Sequence, residues 1–373
     1  MKVIQITTLH PWNDTRIFKK IVLSLVESGF KVNYLAPLPK GQVPVLGEVK
    51  IHWLPNHPGI SGRLIRNILA FIKVFNINAR IVHFHDPEFL PFAFLLRLFG
   101  RKLIYDIHED NLLALQQKEY SQFLPKGFSF LLAKYFARLE QIAARAMVPV
   151  IAEKCYRYRF PTATEVLNYP NTNKTAKSPA KFATNNKIKL IYTGVVSKDR
   201  GAFHMLRLVK ALKDAELYII GRCDKDLQEE LTIFAGEDLH RMHFKTSHRH
   251  VPFSYIEEKY SQYNWTAGLA IFPQTPHYYE KELTKFFEYM YYGIPILCSN
   301  FPVWYNLIEK NRVGFTVNPD DIKSSVEIVK RLSENESLRT MIVQRGKELV
   351  LTKYNWKSQF QNLHKLYHGI LKN

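Results

Sequence analysis

The sequence predicts two α/β domains of comparable size, each built on a parallel sheet and facing the other across a cleft. Three observations carry this. The chain has 373 residues, more than the roughly 250–300 at which a single hydrophobic core stops growing. Short apolar runs alternate with segments of helical periodicity, the rhythm of strand, crossover helix and parallel strand. That rhythm breaks once near the middle and then restarts.

In the first half the strand-like runs are Val3 to Ile6, Val32 to Ala36, Ile51 to Leu54, Ile81 to His85, Leu103 to His108 and Val148 to Ala152. Between the first two, Ile17, Phe18, Ile21, Val22, Leu25 and Val26 recur at helical spacing. Asp14 precedes them as an N-cap and Gly29 follows as a stop signal. From Pro170 to Lys187 the pattern gives way to Asn, Thr, Lys and Ser, which reads as a linker. Beyond it come Lys189 to Tyr192, Leu217 to Ile220, Met242 to Phe244, Ala267 to Phe272, Ile294 to Cys298 and Gly314 to Val317. The expected domains are 1–170 and 188–354, joined by a linker at 171–187. Residues 355–373 form a last, helical segment. In such folds ligands bind at the carboxyl ends of the strands.

Hydrophobic residues make up 46% and aromatics 13% of the chain, which excludes a disordered or low-complexity protein. Cys155, Cys223 and Cys298 are too few and too scattered for a disulfide framework or a structural zinc site. The N-terminal stretch lacks the apolar core and small-residue cleavage site of a signal peptide. No run reaches the roughly 20 apolar residues of a spanning helix. The expected location is therefore cytoplasmic.

A formal charge of +19 calls for an anionic partner or surface. Arg63, Arg66, Lys73, Arg80, Arg97, Arg101 and Lys102, then Lys118, Lys126, Lys134, Arg138 and Arg145, interleave with Leu, Ile and Phe. This mixture fits an anionic membrane surface and equally the solvated faces of ordinary core helices. Nucleic-acid binding is the rival from another class. It rests on charge alone, without a stacking platform or basic recognition helix.

Neither a P-loop nor a Gly-x-Gly-x-x-Gly turn after the first strand is present, which removes the P-loop class and weakens a dinucleotide-oxidoreductase reading. Thr193-Gly194 instead ends a strand, and Lys198, Arg200 and Gly201 precede a helix. Cations there can neutralise a diphosphate while backbone N–H groups bond its oxygens. Further on, Thr284 is positioned to cap a helix that Gly293 ends, with Lys285 in its first turn and Glu288 one turn later. Glu288 can complement the helix dipole or accept two hydrogen bonds from a ribose.

The block Glu280 to Leu297 resembles the donor-binding motif of the family 4 glycosyltransferases, retaining enzymes of GT-B fold. Glu280 and Glu288 have the motif's spacing, and Phe287-Glu288-Tyr289-Met290 followed by Gly293-Ile294-Pro295-Ile296 matches its helix and strand. Val82 to Glu88, Tyr105 to Glu109, Tyr192 to Gly201 and the segment after Trp356 also resemble parts of that family. The resemblance implies two Rossmann-like domains and sugar transfer from a nucleotide diphosphate sugar to a glycan or polyprenyl-linked acceptor, with retention. Uridine is favoured over guanosine as the base. Glu288 would hold the donor ribose, Glu280 and His108 the transferred sugar, and Arg200, Lys285 and Lys198 the diphosphate. Gly194, Leu283 and Thr284 would complete the donor site. Asp14, Arg16, His85, Asp86 and Glu109 are the acceptor-side candidates. No metal or other obligatory cofactor is expected, because cations in the site can stabilise the leaving group. The sequence departs from the family at Val195, where many relatives carry arginine, and at Thr7 to Arg16, where a glycine-rich turn is missing. A sugar-nucleotide 2-epimerase of related architecture is the nearer rival.

Overall fold

The computed structural model describes residues 1–39, 41, 44, 47–108, 126–172, 187–248, 251–275 and 278–372. Two compact units emerge, one formed by Met1–Asn168 with Trp356–Asn373 and the other by Tyr169–Asn355. The expected linker lies, from 173 to 186, outside the described residues, as does Glu109.

The first unit is a seven-stranded sheet in which every neighbouring pair is parallel. Its strands are β1 (Lys2–Ile6), β2 (Lys31–Pro37), β3 (Val49–Leu54), β4 (Ile81–Phe84), β5 (Lys102–Ile107), β6 (Val148–Ile151) and β7 (Thr164–Glu165). Their order is β3-β2-β1-β4-β5-β6-β7. Alternation along each strand feeds two cores, one on each face of the sheet. Ile4 and Ile6 of β1 join Val82, Phe84, Leu103 and Tyr105 on one face, while Val3 joins Ile81 and Ile104 on the other. The last helix, Trp356–Lys372, closes this second face with Trp356, Leu363 and Tyr367. Trp356 Nε1 donates to Ser24 Oγ at 2.8 Å.

The second unit repeats the plan. Strands β8 (Ile188–Thr193), β9 (Ala215–Arg222), β10 (Met242–Ser247), β11 (Ala267–Ala270), β12 (Ile296–Ser299) and β13 (Gly314–Val317) form a sheet of order β10-β9-β8-β11-β12-β13, again all parallel. In both sheets the winding reverses beside the first strand, between β1 and β4 and between β8 and β11. This is the switch point at which open α/β sheets bind ligands.

The sequence runs name every strand except the two-residue β7, with ends moved by a few residues. The first helical segment is less regular than expected. Ile17–Val22 is a π-helical stretch running into an α-helix at Leu23–Glu27. Asp14 does cap it, since its Oδ1 accepts from the backbone N–H of Arg16 and Ile17, both at 2.8 Å. Thr284 does not cap its helix. Helix Thr284–Tyr292 begins after an extended Leu283, which is the N-cap and makes no side-chain bond. Gly293 ends that helix in the left-handed region. Among the described residues no helix is long and apolar enough to cross a membrane.

Candidate functional site

In the second unit the candidate residues gather at the carboxyl end of β8. Gly194 turns the chain with φ 110°, and Gly201 closes the turn with φ 72°. A Cβ on Gly201 would lie 1.7 Å from the carbonyl oxygen of Ile271, so only glycine brings this turn against the end of β11. Arg200 donates through Nε to Tyr278 Oη at 3.0 Å, and Tyr278 in turn donates to Asp199 Oδ2 at 2.9 Å. The guanidinium is thereby held in place by a fixed tyrosine.

Lys285, in the first turn of its helix, is buried, and its Nζ has no hydrogen-bond partner among the described residues. It sits 3.6 Å from the centroid of the Tyr192 ring. A Cβ on Gly194 would come within 3.7 Å of Nζ, so the ammonium lies against the turn. Burial, reinforced by the positive charge of Arg200, pushes its pKa well below the usual lysine value. A buried ammonium without a carboxylate hydrogen-bonded to it is costly, and an anion at the turn would remove that cost. Glu288 follows three residues later on the same helix face. Its Oε2 accepts from Tyr260 Oη at 3.0 Å, and Thr193 Oγ1 bonds the same phenol at 2.6 Å. Burial and the Glu288 carboxylate push the Tyr260 phenol well up, keeping it a donor.

The remaining donor-side candidates are placed differently. Glu280 and Thr284 are exposed, and Leu283 is half-buried. The loop carrying Glu280 is pinned nearby by Trp304 Nε1, which donates to Lys281 O at 2.6 Å. Lys198 is exposed and paired with Glu230 at 2.6 Å, so the structure engages it at the surface. Sequence reasoning missed Tyr192, Tyr260 and Tyr278, which hold Lys285, Glu288 and Arg200 respectively.

In the first unit the candidates converge on a residue that was not among them, Asp106. Arg16 grips this buried carboxylate bidentately, with Nη2–Oδ1 at 2.8 Å and Nε–Oδ2 at 3.2 Å. Three imidazole nitrogens surround Oδ2, those of His108 at 2.9 Å, His85 at 3.2 Å and His83 at 3.8 Å. The hydrogen-bond pattern assigns their protons. Gln5 donates through Nε2 to Tyr367 Oη at 2.6 Å, so its Oε1, 2.9 Å from His85 Nε2, accepts a proton there. His108 Nε2 donates to Asp106 Oδ2 and lies 3.0 Å from His85 Nδ1. Tyr367 Oη, already accepting from Gln5, donates to His83 Nδ1 at 2.8 Å. Burial pushes the His85 pKa down to about 4 and holds that of His83 well below the usual imidazole value. Arg16 and His108 outweigh burial at Asp106 and hold its pKa well below the usual carboxylate range.

His108 alone of the three imidazoles reaches the surface, with its side chain 11% exposed. Asp86 accepts from the Thr8 N–H at 2.6 Å and lies 3.6 Å from His10 Nε2. His83, His85 and Asp106 also place one ligand atom each within 4.8 Å of one another. Two imidazoles and a carboxylate are chemically suited to zinc. The bidentate Arg16 already balances the carboxylate charge, so the set is electrically complete as an internal network.

Residues 173–349 match the family model described as Glycosyl transferases group 1. The capsular polysaccharide biosynthesis glycosyltransferase CapM of Staphylococcus aureus is 23% identical over 207 residues, covering 54% of this chain and 51% of CapM. The match thus spans about half the length of that relative. Among solved structures, sucrose-phosphate synthase from Thermosynechococcus elongatus superposes with a TM-score of 0.75 at 14% identity, covering 100% of this chain and 99% of that one. HepE from Anabaena, solved with UDP and glucose, gives 0.68 at 12% identity over 98% and 99% of the two chains. WaaG, a glycosyltransferase involved in lipopolysaccharide biosynthesis, gives 0.64 at 12% identity over 97% and 98%. The fold is GT-B.

Proposed function

We propose that this chain, a family 4-like glycosyltransferase whose residues 173–349 form the group 1 domain, moves a hexose from a uridine diphosphate sugar onto a glycan acceptor carried on a polyprenyl lipid. The observation that carries the donor assignment is Lys285, a buried ammonium without a hydrogen-bond partner among the described residues, packed against the Gly194 turn. A diphosphate supplies the missing negative charge. Arg200, aimed by Tyr278, adds the second cation, and Glu288, held by Tyr260, accepts the ribose hydroxyls. Uridine is the base in the complex of the structural relative HepE, and the resemblance to CapM supports a surface-polysaccharide acceptor.

In the transfer the bond between the anomeric carbon and the diphosphate oxygen breaks, and the acceptor oxygen bonds that carbon on the same face. The acceptor proton passes to the departing phosphate oxygen. No protein nucleophile is assigned. Charge developing on the diphosphate is met by Lys285 and Arg200, whose positions are set before the donor arrives, so little reorganisation is needed. On the acceptor side, His108 is held with Nε2 inward against Asp106, leaving Nδ1 to accept a hydrogen bond from a sugar hydroxyl. Glu280 contributes to holding the transferred sugar.

Thermal shift and calorimetry with a panel of nucleoside diphosphates and their sugars test this reading. The expected result is stabilisation by UDP that is lost in Glu288→Ala. If no nucleoside diphosphate binds the wild type, the donor assignment fails. Release of free sugar without acceptor, as the main product, would point to epimerase chemistry. Chelation with EDTA is expected to leave turnover unchanged.

A further inference from the structure

Helix Gly59–Phe75 carries large apolar side chains on its outward face as well as its inward one. Its buried residues are Gly62, Arg66, Asn67, Ala70 and Val74. Arg66 turns inward and donates to His57 O at 2.7 Å. Leu69, Phe71 and Val74 pack toward the core, but a second set of large aliphatic side chains faces solvent, with Ile60 77%, Leu64 55%, Ile68 40% and Ile72 51% exposed. These recur every four residues and so form a single stripe along the helix, which Ile65 widens and Phe75 ends. An amphipathic helix of a soluble protein normally turns such a stripe to the core.

The stripe continues onto the next helix. Helix Leu90–Leu98 packs against Gly59–Phe75, and the Phe75 and Phe99 rings meet edge to face at 4.9 Å. Leu98 is 81% and Phe99 63% exposed, and Leu95 is exposed beside them. A contiguous apolar patch of this kind marks an interaction surface.

Charge selects the partner. From residue 59 to 102 there are seven Lys or Arg and two acids. Asp86 is buried, and Glu88 is paired with Arg63 at 3.0 Å. Arg101 is engaged with the carbonyls of Ile77 and Ala79. Arg80 and Arg97 are exposed, and Lys73 and Lys102 are half-exposed. An apolar stripe flanked by cations matches a bilayer whose acyl region takes the aliphatic side chains and whose anionic headgroups meet the cations. A second copy of the chain would bring two basic faces together, and a nucleic acid would leave the aliphatic stripe in water.

We propose that the face formed by helices Gly59–Phe75 and Leu90–Leu98, with Leu64, Ile68, Ile72, Leu98 and Phe99 as the inserting side chains, is the surface by which this protein docks on an anionic lipid bilayer. The inference does not depend on the transferase reading, because its readout is binding to vesicles.

Flotation of the full chain with phosphatidylcholine vesicles, with and without 30 mol% phosphatidylglycerol, tests it. The expected outcome is at least tenfold stronger partitioning onto the anionic vesicles at low salt, weakened severalfold at 0.5 M NaCl. The double substitution Leu64→Ser/Leu98→Ser, at exposed positions, should reduce partitioning at least tenfold while leaving the melting temperature and UDP response intact. Arg80→Gln/Arg97→Gln should flatten the salt dependence. Absence of binding to anionic vesicles at low salt would overturn the proposal, and so would serine variants that float like wild type. A concentration-dependent dimer in sedimentation that the serine substitutions abolish would also overturn it, assigning the face to a second copy.

Discussion

The two switch points of this molecule carry opposite electrostatic designs. Beside β1 and β4, the Asp106 carboxylate is closed in by Arg16 and three imidazoles, so the charges answer one another within the fold. Beside β8 and β11, Lys285 is buried with no hydrogen-bonding partner among the described residues and with Arg200 adding like charge. A balanced cluster stabilises the fold and orients whatever touches its edge, here His108. An unbalanced one is a cost to the empty protein that a ligand of the right sign removes. The difference can be read from the sign of a mutation's effect on the apo protein.

The largest effect is expected in the first cluster. Asp106→Asn keeps the shape but leaves the Arg16 guanidinium buried without its counter-charge, which should cost about 3–5 kcal/mol, measured by urea unfolding. Hydrogen exchange should locate the loosening in β1, β4 and β5. If Asp106→Asn is as stable as wild type, the cluster is not electrostatically closed.

Acid should find the same cluster. The folded pKa of His85 is about 4 against an ordinary value of 6.5, so the unfolded chain takes up the proton first as pH falls. Stability is full above about 6.5 and is lost between 6.5 and 4, by up to about 3 kcal/mol. His83 and Asp106, both depressed, act in the same direction, Asp106 at lower pH. The profile is measured by denaturant unfolding from pH 8 to 4. A flat profile through this range would contradict a neutral, buried His85.

Lys285 should behave in the opposite sense. Lys285→Met removes a desolvated ammonium, so the apo protein is expected to gain about 1–3 kcal/mol while losing its stabilisation by UDP. In the wild type the folded lysine binds fewer protons than the unfolded one between its depressed pKa and 10.5, so apo stability should rise with pH through that window. UDP binding should accompany proton uptake, which calorimetry in buffers of different ionisation enthalpy measures. A destabilised Lys285→Met that still binds UDP would erase the contrast between the two clusters.

The sequence made the scaffold legible because both sheets are parallel and buried on both faces, so their strands stand out as unbroken apolar runs. The nearness of the candidates Lys285 and Glu288 was legible because both lie on one short helix and their spacing is local. Asp106 was passed over because it sits inside the run Leu103 to His108, where one polar residue among apolar ones reads as an interruption. The signal was present, since Asp106 and His108 are two apart at the end of β5 and His83 and His85 two apart at the end of its neighbour β4. Polar residues at that period share a sheet face. Arg66 and Arg101 were read as part of a basic surface but turn to backbone carbonyls, which charge alone does not reveal. Tyr192, Tyr260 and Tyr278 carry no sequence signal of their own, because their roles depend on contacts with residues far along the chain.

The smallest effect separates charge from orientation at the donor site. Tyr260 is fully buried, and its phenol links Thr193 to Glu288. Tyr260→Phe keeps the ring and removes one hydroxyl, so neither the Lys285 charge nor the packing changes. What is lost is the bond that fixes the Glu288 carboxylate, worth about 1 kcal/mol or slightly more because the acceptor is charged. UDP affinity should therefore fall about fivefold, with proton uptake on binding unchanged. The unchanged proton count is the discriminating part, since it would show Lys285 still meeting the diphosphate while the ribose contact alone has loosened. Full loss of UDP binding in Tyr260→Phe would instead mean that Glu288 and Lys285 act as one unit, and that orientation governs this site as it does the first.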